Sequence, residues 1–366
     1  VLNVAFLLQI FNLRVIFMSN EKHFYLGANT PYGFFSYYDN IVSQQEARRI
    51  YCIKGGPGTG KSSFMRKIAE KIMSLGYDVE FIHCSSDDGS LDGIFVKRLK
   101  IAFLDGTSPH IADPKNPGAV DKIINLGEFW DEEKMTAEKR GIIDTNAKIG
   151  ETFARAYKYL AAAKAFYDDM NVINEKSYDL YERNLYVDKI VNDEFSHLCI
   201  CPVAGRERKL FASAITPTGL KFRPETLFDG YRVKILRGYT GDILNEISLA
   251  ATKRGLDTEK FYCVMEPAKK CEHLLIPHLK LAFCTDSEFH NFSDGEIYEF
   301  SKKAFCENEF SYDIQMYKNL IAKAVETLAA AKAMHDDLEK FYIPNMNFKK
   351  IMSLCEKTIK QILEMA

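Results

Sequence analysis

Apolar residues in the first part of the chain change from a strand-like to a helix-like spacing and back. Short apolar runs at 49–53, 78–84 and 100–105 are typical of buried strands. Between the first two runs, Phe64, Ile68, Ile72 and Leu75 recur at helical spacing, and Gly76 is a typical helix stop. Because strands alternate with helices, the pattern predicts an α/β fold with a mainly parallel sheet flanked by helices.

Two longer segments, 150–196 and 311–364, carry a different pattern. Both are charged, nearly free of glycine, and place Ala, Leu and Tyr at helical periods. We expect each segment to form a long helical hairpin appended to its sheet. The stretch LAAAKA occurs in both and predicts close helix–helix packing through small residues.

Several blocks of the sequence occur twice, in the same order. The matching blocks are 22–33 with 208–219, 81–110 with 261–290, and 160–169 with 328–337. Such self-similarity indicates a duplicated structural unit. We therefore expect two tandem domains, at 20–205 and 206–366, preceded by a leader at 1–19.

The leader contains an apolar run, 1–17, that polar residues interrupt. It is short for a membrane span of about 20 residues and lacks a basic start or a small-residue cleavage site. Since Met18 follows directly, we expect translation to begin there, with the leader untranslated or disordered. A membrane anchor is the alternative, and the intact mass of the natural protein distinguishes the two.

The composition indicates the cellular environment of the protein but says little about its function. The net charge of −2 gives no signal for a nucleic-acid partner. Nine cysteines without a CxxC pair are typical of reduced thiols in a cytoplasmic protein. His197, Cys199 and Cys201 alternate, which leaves a metal site as one alternative, but a buried strand carrying small thiols is favoured.

One short segment carries recognisable chemistry. It follows an apolar strand, precedes an amphipathic helix and fits the pattern G-x-x-x-x-G-K-[ST] of phosphate-binding loops. The residues are Gly55, Gly56, Pro57, Gly58, Thr59, Gly60, Lys61, Ser62 and Ser63. Glycines let backbone N–H groups turn towards phosphate oxygens, and the helix dipole favours the same anion. Lys61 is predicted to reach the β- and γ-phosphates of ATP, and Ser62 to ligate Mg²⁺.

A carboxylate is also needed to hold the water shell of the Mg²⁺ ion. Asp105 ends an apolar strand, as such a carboxylate should, and Asp87 and Asp88 are its rivals. No Glu follows Asp105, so the acidic pair that many ATPases use to polarise water is missing. His110 is a candidate to orient water, although a role as an ordinary loop histidine is favoured.

Charge neutralisation in the transition state has several candidates. They are Arg49, Arg66 and Arg98 in the first half, and Arg237, Lys253 or Arg254 acting across an interface from the second half.

The matching loop of the second half, 237–242, has lost the features that bind phosphate. It is shorter, no Lys follows its last glycine, and Asp242 adds a negative charge near the helix start. Thr285 also stands where Asp105 stands in the first half. We therefore expect the second half to keep the fold and to lack the nucleotide site.

These motifs resemble those of a bacterial family with duplicated P-loop domains, described as ATPases or nucleotide kinases. The resemblance covers nearly all of the chain after residue 20. It is carried by Thr30–Phe34, IKGGPGTGKS, HCSSD, DGTSPH with DPKNPGAVD, and NLGEFWD. It implies tandem P-loop NTPase domains that bind nucleotide. Family members typically keep a glycine loop in both halves, and this chain departs from that pattern.

The sequence favours a Mg²⁺-dependent ATPase with one active site in the first half. Two alternatives stay open: a small-molecule or nucleotide kinase whose acceptor binds near 105–118, and a regulatory module that binds ATP without turnover. A protein partner or a homo-oligomer is compatible with each of them.

Overall fold

The computed structural model describes residues 19–107, 113–238, 242–287, 290–303 and 307–365. Its first half contains a six-stranded sheet in the order β1-β5-β6-β7-β4-β8 and a separate β2–β3 hairpin. The strands are β1 Glu21–Tyr25, β2 Gly27–Thr30, β3 Gly33–Ser36, β4 Arg49–Lys54, β5 Val79–His83, β6 Leu91–Val96, β7 Ile101–Asp105 and β8 Asp121–Asn125. Only β6 runs antiparallel to its two neighbours. The predicted α/β architecture is confirmed, although only β4, β5 and β7 of this sheet were among the predicted strands.

The second half repeats this arrangement. Its sheet has the order β16-β12-β15-β14-β13-β9, with β10 and β11 as the hairpin, and β14 is the antiparallel strand. The strands are β9 Glu207–Leu210, β10 Ser213–Thr216, β11 Gly219–Phe222, β12 Arg232–Arg237, β13 Thr258–Tyr262, β14 Cys271–Ile276, β15 Leu281–Asp286 and β16 Glu296–Glu299. The registers also correspond, because Ile53 pairs with Asp105 as Leu236 pairs with Thr285.

The helices differ greatly in length. They are α1 Lys61–Met73, α2 Glu132–Ala137, α3 Lys139–Lys176, α4 Leu180–Phe195, α5 Pro224–Leu227, α6 Ile243–Thr252, α7 Glu307–Tyr342 and α8 Phe348–Met365. Helix α1 follows the predicted pattern, since Phe64, Ile68 and Ile72 are buried. It ends before Leu75, which is exposed, and Gly76 adopts a φ of 82° in the turn that follows.

The prediction of a helical hairpin in each half is wrong. The long helices α3 and α7 instead pack against each other, across the two halves. Their order is antiparallel, because Gly141 near the start of α3 contacts Phe341 at the end of α7, while Phe166 meets Tyr312 near the start of α7. At 1.5 Å per residue, the 38-residue α3 is about 57 Å long.

The shorter helices are exchanged between the halves. Helix α8, at the end of the chain, covers the first sheet beside α1 and buries Ile351, Cys355, Ile359 and Ile362. Helix α4, from the first half of the sequence, packs in the same way beside α6 on the second sheet. Residue 205 therefore divides the sequence repeats but not the packed units.

The two halves also share an apolar core on the sheet faces opposite these helices. Phe24 and Ile82 of the first half and Leu210 and Phe261 of the second belong to this one cluster. The edge strands meet where Tyr25 and Phe211 exchange two backbone hydrogen bonds of 2.9 and 3.0 Å. The halves are thus joined by backbone pairing as well as by apolar contact.

Further predictions concern residues outside the two sheets. Cys199 and Cys201 are exposed in the connection after α4, so the expected buried strand is wrong there. Residues 1–18 of the leader lie outside the described residues. Within the described ranges, no helix is long and apolar enough to cross a membrane.

Candidate functional site

The glycine loop, residues 55–62, joins the buried strand β4 to α1. Gly58 and Gly60 have φ angles of 64° and 87°, which glycine adopts without strain. Gly60 is the N-cap of α1 and supplies no capping side chain, so the first N–H groups of the helix have no side-chain acceptor there. This combination of turned amides and an uncapped helix start favours a bound anion.

Lys61 lies folded back over the loop that it follows. Its ammonium donates to the carbonyls of Gly55 and Gly56, each at 2.9 Å. The same nitrogen lies 3.6 Å from Oδ2 of Asp105, at the end of the neighbouring strand β7. Both side chains are largely buried, which keeps the ion pair from being screened by solvent. The structure therefore brings the predicted lysine and the preferred carboxylate together.

Other loop residues are held by local hydrogen bonds. The Thr59 hydroxyl is buried and donates to the Gly56 carbonyl at 2.8 Å. Thr107 donates through its hydroxyl to the Gly55 carbonyl and through its backbone N–H to Oδ1 of Asp105, both at 2.8 Å. The Ser62 hydroxyl accepts from the N–H of Leu91 at 3.0 Å. Pro57 is half-buried and Ser63 is exposed.

The rival carboxylates are occupied elsewhere. Asp87 lies 3.5 Å from Nζ of Lys332, on the long helix α7. Asp88 accepts a 3.0 Å hydrogen bond from Arg223 of the second half. The geometry thus places Asp105, rather than Asp87 or Asp88, beside Lys61.

The candidate arginines of the first half separate by position. Arg49 begins β4 and Arg98 precedes β7, so both lie at the amino ends of these strands, whereas the glycine loop follows the carboxyl end of β4. Arg49 donates to the Gly118 carbonyl and Arg98 packs over the ring of Tyr77. Arg66, on α1, donates to the Gly89 carbonyl near the loop after β5. Of these three arginines, only Arg66 lies at the same end of the sheet as the glycine loop.

The prediction that basic residues of the second half complete this site is wrong for the described contacts. Arg237 donates to Asp286 at 2.8 Å within its own half. Arg254 donates to the carbonyl of Ala250 and lies over Phe195, and the Lys253 carbonyl accepts from Cys201. None of these partners belongs to the glycine loop.

The second half reaches the glycine loop by a different route, through the α7–α8 junction, residues 342–348. A Cβ built on Gly56 would stand 2.6 Å from the ring of Tyr342, and one on Gly58 would stand 2.7 Å from Ile343. A Cβ on Gly60 would stand 3.6 Å from the ring of Phe348. Sequence reasoning missed these residues; Pro344 marks the end of a long helical pattern, but that signal says nothing about what the end touches.

The degenerate loop of the second half has an equivalent neighbour. Tyr178, between α3 and α4, would meet a Cβ on Gly238 at 2.6 Å. The acidic residues at the start of α6 are paired, since Arg183 of α4 bonds to Asp242 at 2.7 Å and also to Glu246. Thr285, at the Asp105 position, donates to the Glu272 carbonyl. Both junctions thus lie on a glycine loop, one at each end of the α3–α7 pair.

Two observations complete the account of the site. The candidate His110 lies outside the described residues. Comparison with protein-family models, with curated proteins and with solved structures found no match to this chain.

Proposed function

We propose that the first half binds Mg-ATP at the glycine loop and hydrolyses it. The observation that carries the proposal is the pair of Lys61 and Asp105, 3.6 Å apart beside the glycine loop, with Ser62 in the first turn of the helix that follows the loop. In this arrangement the Lys61 ammonium exchanges its two carbonyl partners for the β- and γ-phosphate oxygens. Ser62 would ligate Mg²⁺, and Asp105 would hold the water shell of the ion.

The hydrolytic step relies on positioning and charge, because phosphoryl transfer requires little covalent chemistry from the protein. Lys61 and Mg²⁺ neutralise charge on the transferred group. Of the three candidate arginines in the first half, Arg66 lies at the end of the sheet where the glycine loop is, so it adds positive charge there. No acidic residue follows Asp105, so the attacking water depends on other groups for its orientation.

The contacts of the α7–α8 junction couple hydrolysis to a change in helix packing. Tyr342 and Ile343 pack on the backbone that turns around the phosphates, so occupancy of the loop changes the packing of the junction. The junction is continuous with α7, and α7 packs along α3. We therefore propose that the nucleotide state alters how the long helix pair packs on the hairpin strands β2 and β10.

Phosphate release from the purified full chain tests this function. We expect Mg²⁺-dependent turnover of ATP without any added acceptor, and a loss of about 10²–10³-fold in Lys61→Ala. Lys71→Ala, an exposed lysine on the same helix, is the matched control and should keep full activity. Turnover only with an added metabolite would indicate a kinase, and stabilisation by Mg-ATP without phosphate release would indicate a binding module. Equal activity in both lysine variants contradicts the proposal.

A further inference from the structure

A second cluster of metal-binding side chains lies in the half that has lost its phosphate loop. Glu272, His273 and His290 each offer one donor atom, and these atoms all lie within 4.8 Å of one another. The three residues are 9%, 0% and 4% exposed. They meet near the carboxyl ends of β13 and β15, far along the chain from the glycine loop.

A β-bulge accounts for the position of two neighbouring residues in one cluster. Successive side chains of a regular strand point to opposite faces. In β14, however, Phe261 pairs with His273 and Tyr262 with Cys271, so Glu272 is the extra residue of a bulge. Bulges redirect side chains in this way next to functional sites. The bulged backbone is held in place, because Thr285 donates to the Glu272 carbonyl at 2.9 Å.

The histidines are prepared for a ligand in different ways. Both ring nitrogens of His273 are buried and have no hydrogen-bond partner in the described structure, which is unfavourable for a polar ring. His290 places Nδ1 3.6 Å from Oε2 of Glu272 and pairs its other nitrogen, Nε2, with the Ser213 hydroxyl at 2.8 Å. Metal-bound histidines commonly have their second nitrogen fixed by such an outer partner.

The first half does not share this set. Asp92 occupies the place of Glu272, and its carboxylate accepts a hydrogen bond from Tyr38 at 2.8 Å. Gly93 occupies the place of His273, and a Cβ there would stand 2.7 Å from the Phe103 carbonyl. The backbone of the first half therefore has no room for a side chain at the position that corresponds to His273.

We propose that Glu272, His273 and His290 bind one Zn²⁺ ion in the second half. Two imidazoles and one carboxylate are a ligand set typical of zinc. Three donors spaced as here lie at most roughly 2.8 Å from a common centre, so shifts of under about 1 Å bring them to bonding distance. The ion satisfies a nitrogen of His273 and ties β14 to the segment after β15. Phe222 and Phe228, which pack against His273, give the site an apolar wall.

Metal content of the full chain tests the site. The starting protein carries Cys199→Ser and Cys201→Ser, because these exposed thiols would also take up zinc. After stripping with chelator and addition of Zn²⁺, we expect one bound ion per chain, and Co²⁺ in its place should give a visible tetrahedral spectrum. His273→Phe, which keeps the ring stacking, should weaken binding by about 100-fold or more, and Glu272→Gln should also weaken it. His83→Phe alters a buried histidine in the corresponding strand region of the first half and should leave binding unchanged.

The outcomes separate cleanly. Substoichiometric metal in the starting protein overturns the proposal, as does full binding by both His273→Phe and Glu272→Gln. If either variant fails to fold by circular dichroism, a crystal of the zinc-loaded starting protein decides the matter by anomalous scattering. A peak between the three donors supports the site, and a peak elsewhere excludes it. Mg-ATP binding at Lys61 enters none of these results.

Discussion

The ring of Tyr342, the last residue of α7, lies against the backbone of Gly56, so that a Cβ there would stand 2.6 Å from Cε1 of the tyrosine. A side chain from the second half of the sequence therefore packs on the loop that we assign to phosphate binding. Burial also raises the pKa of the Tyr342 hydroxyl, which keeps the ring neutral beside the predicted anion site. The contact links the candidate site to the longest helices of the molecule.

Gly56→Ala tests this contact directly. The added methyl collides with Tyr342, and overpacking of this kind costs about 1–3 kcal/mol in the free energy of unfolding. Tyr342→Ala removes the obstacle, so the double variant should lose less stability than the sum of the single variants. Chemical denaturation of the four proteins measures the difference. Gly150→Ala is the control and should not destabilise the protein, because a Cβ there would meet no heavy atom within 4 Å apart from the nearby backbone of α3 itself. Strict additivity would show that the tyrosine is not the obstacle.

The exchanged helix α8 predicts a contrast between two adjacent residues. Ile362 is fully buried against the first sheet, whereas Leu363 is 38% exposed. Ile362→Ala should cost about 2–5 kcal/mol in stability, and Leu363→Ala far less. Hydrogen exchange should show the loss of protection in α1, in the other half of the sequence. If protection is lost only in the second sheet, the packing of α8 on the first sheet is contradicted.

Local sequence patterns predicted three strands of the first sheet, β4, β5 and β7, and could not predict how the helices are distributed. The apolar positions of α1 and α8 show that one face of each helix is buried. They do not show against what, because either sheet offers the same kind of apolar surface. Strand β6 was missed for a related reason, since its buried run at 91–96 includes Asp92 and Gly93, and both residues are unusual in strands.

A buried ion network joins the halves and predicts a pH dependence. Arg208 bonds to Glu80 at 2.7 Å and to Glu259 at 3.2 Å, and Lys22 also pairs with Glu259. Burial raises the pKa of Glu259, but the charges of Lys22 and Arg208 outweigh burial and hold it below the ordinary value of 4.5. Its stabilising contribution is therefore complete above pH 4.5 and is lost as the pH falls through the lower, folded-state pKa.

Glu259→Gln measures this contribution. At neutral pH the variant should lose about 3–5 kcal/mol of stability, because the buried cations lose one counter-charge. The difference between wild type and variant should shrink as the pH falls below the ordinary glutamate value. Denaturation curves recorded over that range provide the test, with Glu70→Gln, an exposed glutamate on α1, as the control. A difference that stays constant with pH would mean that Glu259 is not ionised in the folded protein.

Asp105→Asn should separate metal use from nucleotide binding. The amide keeps the size of the side chain but loses the negative charge that we assign to the Mg²⁺ water shell. We expect turnover to fall about 10²–10³-fold, while affinity for ATP in the absence of Mg²⁺ is kept or improved. Asp87→Asn, which alters a carboxylate that contacts Lys332, Gly89 and Ser90, should retain turnover. If Asp87→Asn is the inactive variant, the carboxylate has been misassigned.

The glycine loop was easier to locate from the sequence than the residues that pack on it, for a physical reason. Gly58, Gly60, Lys61 and Ser62 belong to one short segment whose backbone requirements are local, so their spacing alone specifies the loop. Tyr342 reaches the same loop only through the path of a 36-residue helix. No local pattern carries that information. The cross-half arginines failed as predictions for the same reason.

Calorimetric titration of the full chain with Mg-ATP tests the central claim most directly. The account predicts one binding site per chain, with affinity reduced about tenfold or more in Lys61→Ala because a charge-assisted contact to phosphate is lost. Lys71→Ala should bind as wild type does. Undiminished affinity in Lys61→Ala, or no binding by the wild-type protein, would contradict the account.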